Sequence, residues 1–100
     1  MIEPPPVPDD DRYHSAHVPK PRPGFTRLQW ERLREGQTAR IRDYTCDCQN
    51  PYYELCSSGG QYFIRRTRLR NGTVEVHETA RGRVAKAMEV WSKLLSGDVA

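Results

Sequence analysis

The run Arg70-Asn71-Gly72-Thr73 decides how this chain folds, because Asn-Gly accepts the positive φ values that a two-residue type I′ turn requires. With that pair at the apex, a hairpin register follows. Arg70 stands opposite Thr73, Leu69 opposite Val74, Arg68 opposite Glu75, Thr67 opposite Val76, Arg66 opposite His77, Arg65 opposite Glu78 and Phe63 opposite Ala80. Paired residues share a face and successive residues alternate. One face then carries Phe63, Thr67, Leu69, Val74, Val76 and Ala80, with Arg65 and Glu78 as a cross-strand ion pair, and is expected to form the core. The other carries Tyr62, Ile64, Arg66, Arg68, Arg70, Thr73, Glu75, His77 and Thr79, and reads as too polar to bury.

Downstream, Val84, Ala87, Met88, Trp91, Leu94 and Leu95 fall on one side of a helix, with Lys86, Glu89 and Lys93 opposite. That stripe needs an apolar sheet face to cover. Glu89 and Lys93 stand four apart in the favourable order, and Gly97 supplies the stop. Thr79 can cap the start, without the acidic residue that usually accompanies a cap.

Upstream, Thr26 and Gln29 have the spacing of a capping box, with Phe25 placed to staple onto Trp30. They predict a short helix over Arg27 to Glu35, ended by Gly36. Thr38 to Tyr44 alternates as a strand, and Asn50-Pro51 breaks the chain before a second strand over Tyr52 to Ser57. Ser58-Gly59-Gly60 reads as a three-residue loop, which sets Leu55 opposite Phe63 and Tyr53 opposite Arg65. The fold class is therefore α+β: an antiparallel meander of three to four strands, a C-terminal amphipathic helix on one face, and a short N-terminal helix.

Met1 to Gly24 holds seven of the eight prolines and the run Asp9-Asp10-Asp11, and is expected to be a disordered tail ahead of one small domain over 25–97. Its Pro5 to Pro8 spacing and its Pro19-Lys20-Pro21-Arg22-Pro23 cluster could present polyproline II to an aromatic groove, although such spacings arise in any proline-rich tract. No apolar run approaches the ~20 residues of a membrane span, and the amino terminus has no signal-peptide pattern, so the expected location is cytoplasmic. An odd count of three cysteines fits a reducing compartment better than a disulfide framework.

Cys46, Cys48 and Cys56, with His77, have the residue types of a zinc site but not its arrangement. Structural zinc usually takes C-x2-4-C pairs, whereas Cys46 and Cys48 are separated by one residue. In the expected register Cys56 lies opposite Tyr62 and His77 opposite Arg66, on the order of 13 Å apart along the strand. His14 and His17, in the proline-rich segment, read as solvated. No metal, cofactor or small-molecule substrate is expected on this reading. Nor is catalysis: a Cys56–His77 pair fails on the same geometry, and no phosphate loop, G-x-S-x-G or H-E-x-x-H occurs.

What remains is surface. Thirteen arginines accompany three lysines in a chain of formal charge +3, and the guanidinium fork suits phosphate, although a GC-rich genome produces the same excess. Arg66, Arg68 and Arg70 would line the open face, with Tyr62 on the same strand and Arg42 on the neighbouring one, a pattern that can track phosphates and stack bases. The segment Tyr62-Phe63-Ile64-Arg65-Arg66, the Arg70-Asn71-Gly72 turn, Thr79 and the run Ala87 to Leu95 resemble the three-strand-then-helix pattern of AP2 and integrase arm-binding domains. That resemblance implies a sheet set into the major groove. Tyr53-Glu54-Leu55-Cys56 followed by Gly59-Gly60-Gln61 resembles small actinomycete proteins, which implies no function. Two roles follow as expectations: a non-catalytic module that binds a protein partner, and, as the alternative, a nucleic-acid binder using the arginine face.

Overall fold

The computed structural model of this protein describes residues 15–34, 36 and 38–100. It shows one five-stranded antiparallel sheet and one C-terminal helix. The strands are β1 (Glu31–Arg32), β2 (Arg40–Tyr44), β3 (Tyr52–Ser58), β4 (Gln61–Arg70) and β5 (Thr73–Gly82), and the helix is α1 (Val84–Ser96). β2 to β5 form the meander, and β1 adds to the free edge of β5, giving the order β1-β5-β4-β3-β2.

The Asn71-Gly72 turn and the register it sets stand as read, from Arg70 opposite Thr73 to Ile64 opposite Thr79. Beyond that point the strands depart from simple counting. Ile64 still faces Thr79 as counted, but Ala80, at φ 57°, forms a bulge in β5 that breaks the expected Phe63–Ala80 pair and sets Tyr62 opposite Gly82. The β3–β4 connection is also shorter than expected. Gly59 and Gly60, at φ 57° and 81°, make a two-residue turn, pairing Ser58 with Gln61, Leu55 with Ile64 and Tyr53 with Arg66. A slip of one residue changes which side chains share a face.

The core consequently lies on the Ile64 side, not on the Phe63 side that the sequence pointed to. Tyr53, Leu55 and Ile64 pack against Ala87, Trp91 and Leu94 of the helix and against Val99. Fully burying side chains of this size contributes roughly 1.5–3 kcal/mol each. The helix is turned to match: Val84 and Met88, expected on the buried stripe, are exposed, while Val90 packs against the core. Its start at Arg83 has no side-chain cap, and Gly97 ends it in the left-handed conformation, as expected. Glu89 and Lys93 form their ion pair at 3.1 Å.

No helix forms over residues 27–34, and Glu35 lies outside the described residues. Thr26 instead makes a parallel bridge to Val99, with Leu28 N–H donating to the Ala100 carbonyl at 2.7 Å, and Glu31–Arg32 pairs with Glu78 and His77. A helix of about nine residues is marginal in water. Extended, the same segment satisfies its backbone on two elements and brings Leu28 and Trp30 to the core.

The expected disorder of the proline-rich segment falls partly on residues 1–14, outside the described ones. From Ala16 onward that segment is tied to the fold: Cys46 N–H donates to Ala16 C=O at 2.9 Å and Arg22 N–H to Gly97 C=O at 2.8 Å. Among the described residues, no helix is long and apolar enough to cross a membrane.

Candidate functional site

The five residues read as a binding row, Arg42, Tyr62, Arg66, Arg68 and Arg70, do share one face of the sheet, but it is the face the helix covers. The guanidinium of Arg66 lies 4.5 Å from the Trp30 ring centroid, and Trp30 in turn packs on Tyr53 at 5.8 Å. Burial lowers the pKa of Arg66 and raises that of Tyr53. Arg68 is held by Glu75 at 3.1 Å, and Arg42 donates to Ser57 Oγ at 2.9 Å and lies 5.9 Å from the Tyr62 ring centroid. Arg70, beside the turn, is exposed. The row is divided, and two of its central charges are engaged internally.

The opposite face is the uncovered one. Near Phe63 the chain closes it with its own charges: Arg81 stacks over the Phe63 ring at 4.2 Å and pairs with the buried Glu78 at 2.6 Å. Glu78 also accepts a hydrogen bond from Arg34 N–H at 2.9 Å. Burial opposes the charge of Glu78, but these partners hold its carboxyl below the usual glutamate value. Arg65 pairs with Glu54 at 2.9 Å instead of with Glu78, its register partner. Cys56, buried beside Phe63, has its thiol pushed up to about 11 by burial.

Around the Glu54–Arg65 pair the same face exposes apolar side chains. Ile41, Tyr44, Leu69 and Val74 are 48%, 56%, 56% and 63% exposed. Tyr52 lies between two depressions, one of about 550 Å³ lined by Ile41, Tyr44, Thr45 and Glu54, the other of about 340 Å³ lined by Asn50, Thr67, Leu69 and Val74. Sequence reasoning placed Leu69 and Val74 in the core, because the turn sets which residues share a face but not which face the helix takes.

The 45–50 loop rims both depressions and carries a second feature. Cys46 Sγ donates to Cys48 Sγ at 3.1 Å, and Cys48 Sγ lies 3.2 Å from His17 Nε2. The thiol–thiol hydrogen bond shared with Cys46, together with partial desolvation and the neighbouring Cys46 and Asp47, raises the Cys48 pKa. None of the three cysteines is in a disulfide. Cys56 and His77 stand apart from this cluster, opposite Phe63 and Arg66 on the two faces of the sheet. His17 was invisible as a partner because 31 residues separate it from Cys48 and no local pattern links them.

Comparison with protein-family models, with curated proteins and with solved structures finds no match for this chain. The functional reading rests on the geometry alone.

Proposed function

We propose that this chain is a non-catalytic interaction module that binds an extended segment of a protein partner on the open face of its sheet. The observation that carries this reading is the exposure of Ile41, Tyr44, Leu69 and Val74 around Tyr52, with a depression on either side. Large apolar side chains exposed on one face of a small domain, on either side of Tyr52, are the kind of surface that marks an interaction site. Two depressions flanking one ring suit a segment with two apolar anchors, since alternate side chains of an extended peptide point the same way. The edge strand β2 is a poorer acceptor, because it carries arginines and a register shift between Ile41 and Asp43.

Selection from a random peptide library on the purified protein tests this. Enriched peptides should share two apolar anchors and lose at least tenfold in affinity for Leu69→Glu or Val74→Glu, while Lys86→Glu, on the far side of the helix, leaves binding intact. Failure to enrich a motif, or binding indifferent to Val74→Glu, overturns the reading. Retardation of duplex DNA at low salt, lost in Arg68→Ala with Arg70→Ala, would replace it with nucleic-acid binding.

A further inference from the structure

We infer that His17, Cys46 and Cys48 form a zinc site. Their donor atoms all lie within 4.8 Å of one another, with separations of 3.1 Å between the sulfurs and 3.2 Å between Cys48 Sγ and His17 Nε2. With Zn–S near 2.3 Å and Zn–N near 2.0 Å, tetrahedral geometry sets neighbouring donors about 3.5–3.8 Å apart. The two short separations therefore need to open by roughly 0.3–0.7 Å, and the third, between Cys46 and His17, already lies within 4.8 Å, so small side-chain adjustments receive the ion.

The backbone holds this arrangement independently of the ligand atoms. Ala16 bridges Thr45 and accepts from Cys46 N–H at 2.9 Å. Gln49 accepts from Val18 N–H at 2.8 Å and donates to Val18 C=O at 3.0 Å. His17 is thus clamped on both sides to the loop that carries the two thiols. Thr45, almost fully buried, anchors that loop by accepting from Tyr53 N–H on its hydroxyl at 2.9 Å. This is the support around a ligand set that fixes donor positions in metal sites.

Two thiols and an imidazole select zinc over magnesium or calcium, which prefer oxygen donors. Binding displaces the two thiol protons, so each sulfur meets the ion as a thiolate. The fourth tetrahedral position is open to a water or another exogenous donor. The ion would cross-link the amino-terminal arm to a loop far away in sequence, which favours the folded state of a small domain.

Titration of the reduced, metal-free full chain with Co²⁺ and then Zn²⁺ decides the matter. One equivalent of Co²⁺ should produce a thiolate-to-cobalt band in the near ultraviolet and the visible bands of tetrahedral cobalt, and one equivalent of Zn²⁺ should abolish them. Cys48→Ser and His17→Ala, both at exposed positions, should weaken binding at least tenfold while the folded circular dichroism persists. Cys56→Ser should bind as the wild type does. Absence of a stoichiometric cobalt spectrum overturns the proposal. So does equal loss in Cys56→Ser, or recovery of Cys46 and Cys48 as a disulfide that reduction does not convert to a metal-binding form.

Discussion

Glu78 is the residue whose charge the fold can least do without. Its carboxylate is buried between Arg81 and the Arg34 amide, and through Arg81 it also positions the guanidinium that covers Phe63. Removing one partner of a buried pair leaves the other charge uncompensated, so Glu78→Gln should cost about 3 kcal/mol in denaturant unfolding at neutral pH. The pH dependence has a definite sign. A carboxyl held below its ordinary value stabilises the fold fully above the unfolded pKa, about 4.3, and progressively less as pH falls through the lowered value. The gap between wild type and Glu78→Gln should therefore be widest near pH 7 and narrow on acidification below about pH 4. A gap constant from pH 7 to pH 3 would mean that the charge is not what matters. Cys56 gives a second test at this scale. Buried, with its thiol pushed up to about 11, it should resist alkylation in the native metal-free protein while Cys48 reacts, as mass mapping of the modified peptides would show.

Among the elements, the hairpin was legible because Asn-Gly has a narrow set of turn geometries, and the pairs from Arg70–Thr73 to Arg65–Glu78 follow from it. The bulge at Ala80 was not, since alanine seldom takes positive φ and nothing in the composition marks it. Gly59-Gly60 permits both a two-residue turn and a loop containing Ser58, and only the packing of Tyr53 and Leu55 with Ile64 distinguishes them. At Glu31–Arg32 the local signals favoured a helix, and pairing with distant strand β5 outweighed them. Two glycines separate backbone strain from close packing. Gly72 has φ 75° with no atom within 4 Å of where a Cβ would lie, so Gly72→Ala should cost about 1 kcal/mol from backbone conformation alone. At Gly97, φ 81°, a Cβ would meet the Lys20 carbonyl oxygen at 3.0 Å and the Pro19 side chain at 3.4 Å. Gly97→Ala should therefore lower the thermal midpoint further than Gly72→Ala, and equal shifts would show that the proline-rich arm does not press on the helix end.

For the molecule as a whole, the arm is the part that composition described least well. Proline density and scarce apolar residues made residues up to Gly24 read as a disordered tail, yet 16–24 are held by hydrogen bonds and packing to elements distant in sequence, which no composition encodes. Val18 packs against the core, Arg22 N–H caps the Gly97 carbonyl, and the Gln49 amide satisfies both backbone groups of Val18. Removing 1–24 exposes part of the core and leaves the Cys46 N–H and the Gly97 carbonyl without these partners. A net hydrogen bond contributes about 1 kcal/mol and a half-buried valine about as much again, so the truncation should lose roughly 3–5 kcal/mol. Denaturant unfolding measures the total, and amide exchange locates it. The Cys46 amide should lose protection in the truncated chain, whereas amides of the β4–β5 ladder near the Asn71-Gly72 turn, far from the arm, should change only by the global amount. If the truncated chain unfolds at the wild-type midpoint with Cys46 still protected, the arm is a passenger, and the His17 imidazole would have no fixed place beside the two thiols.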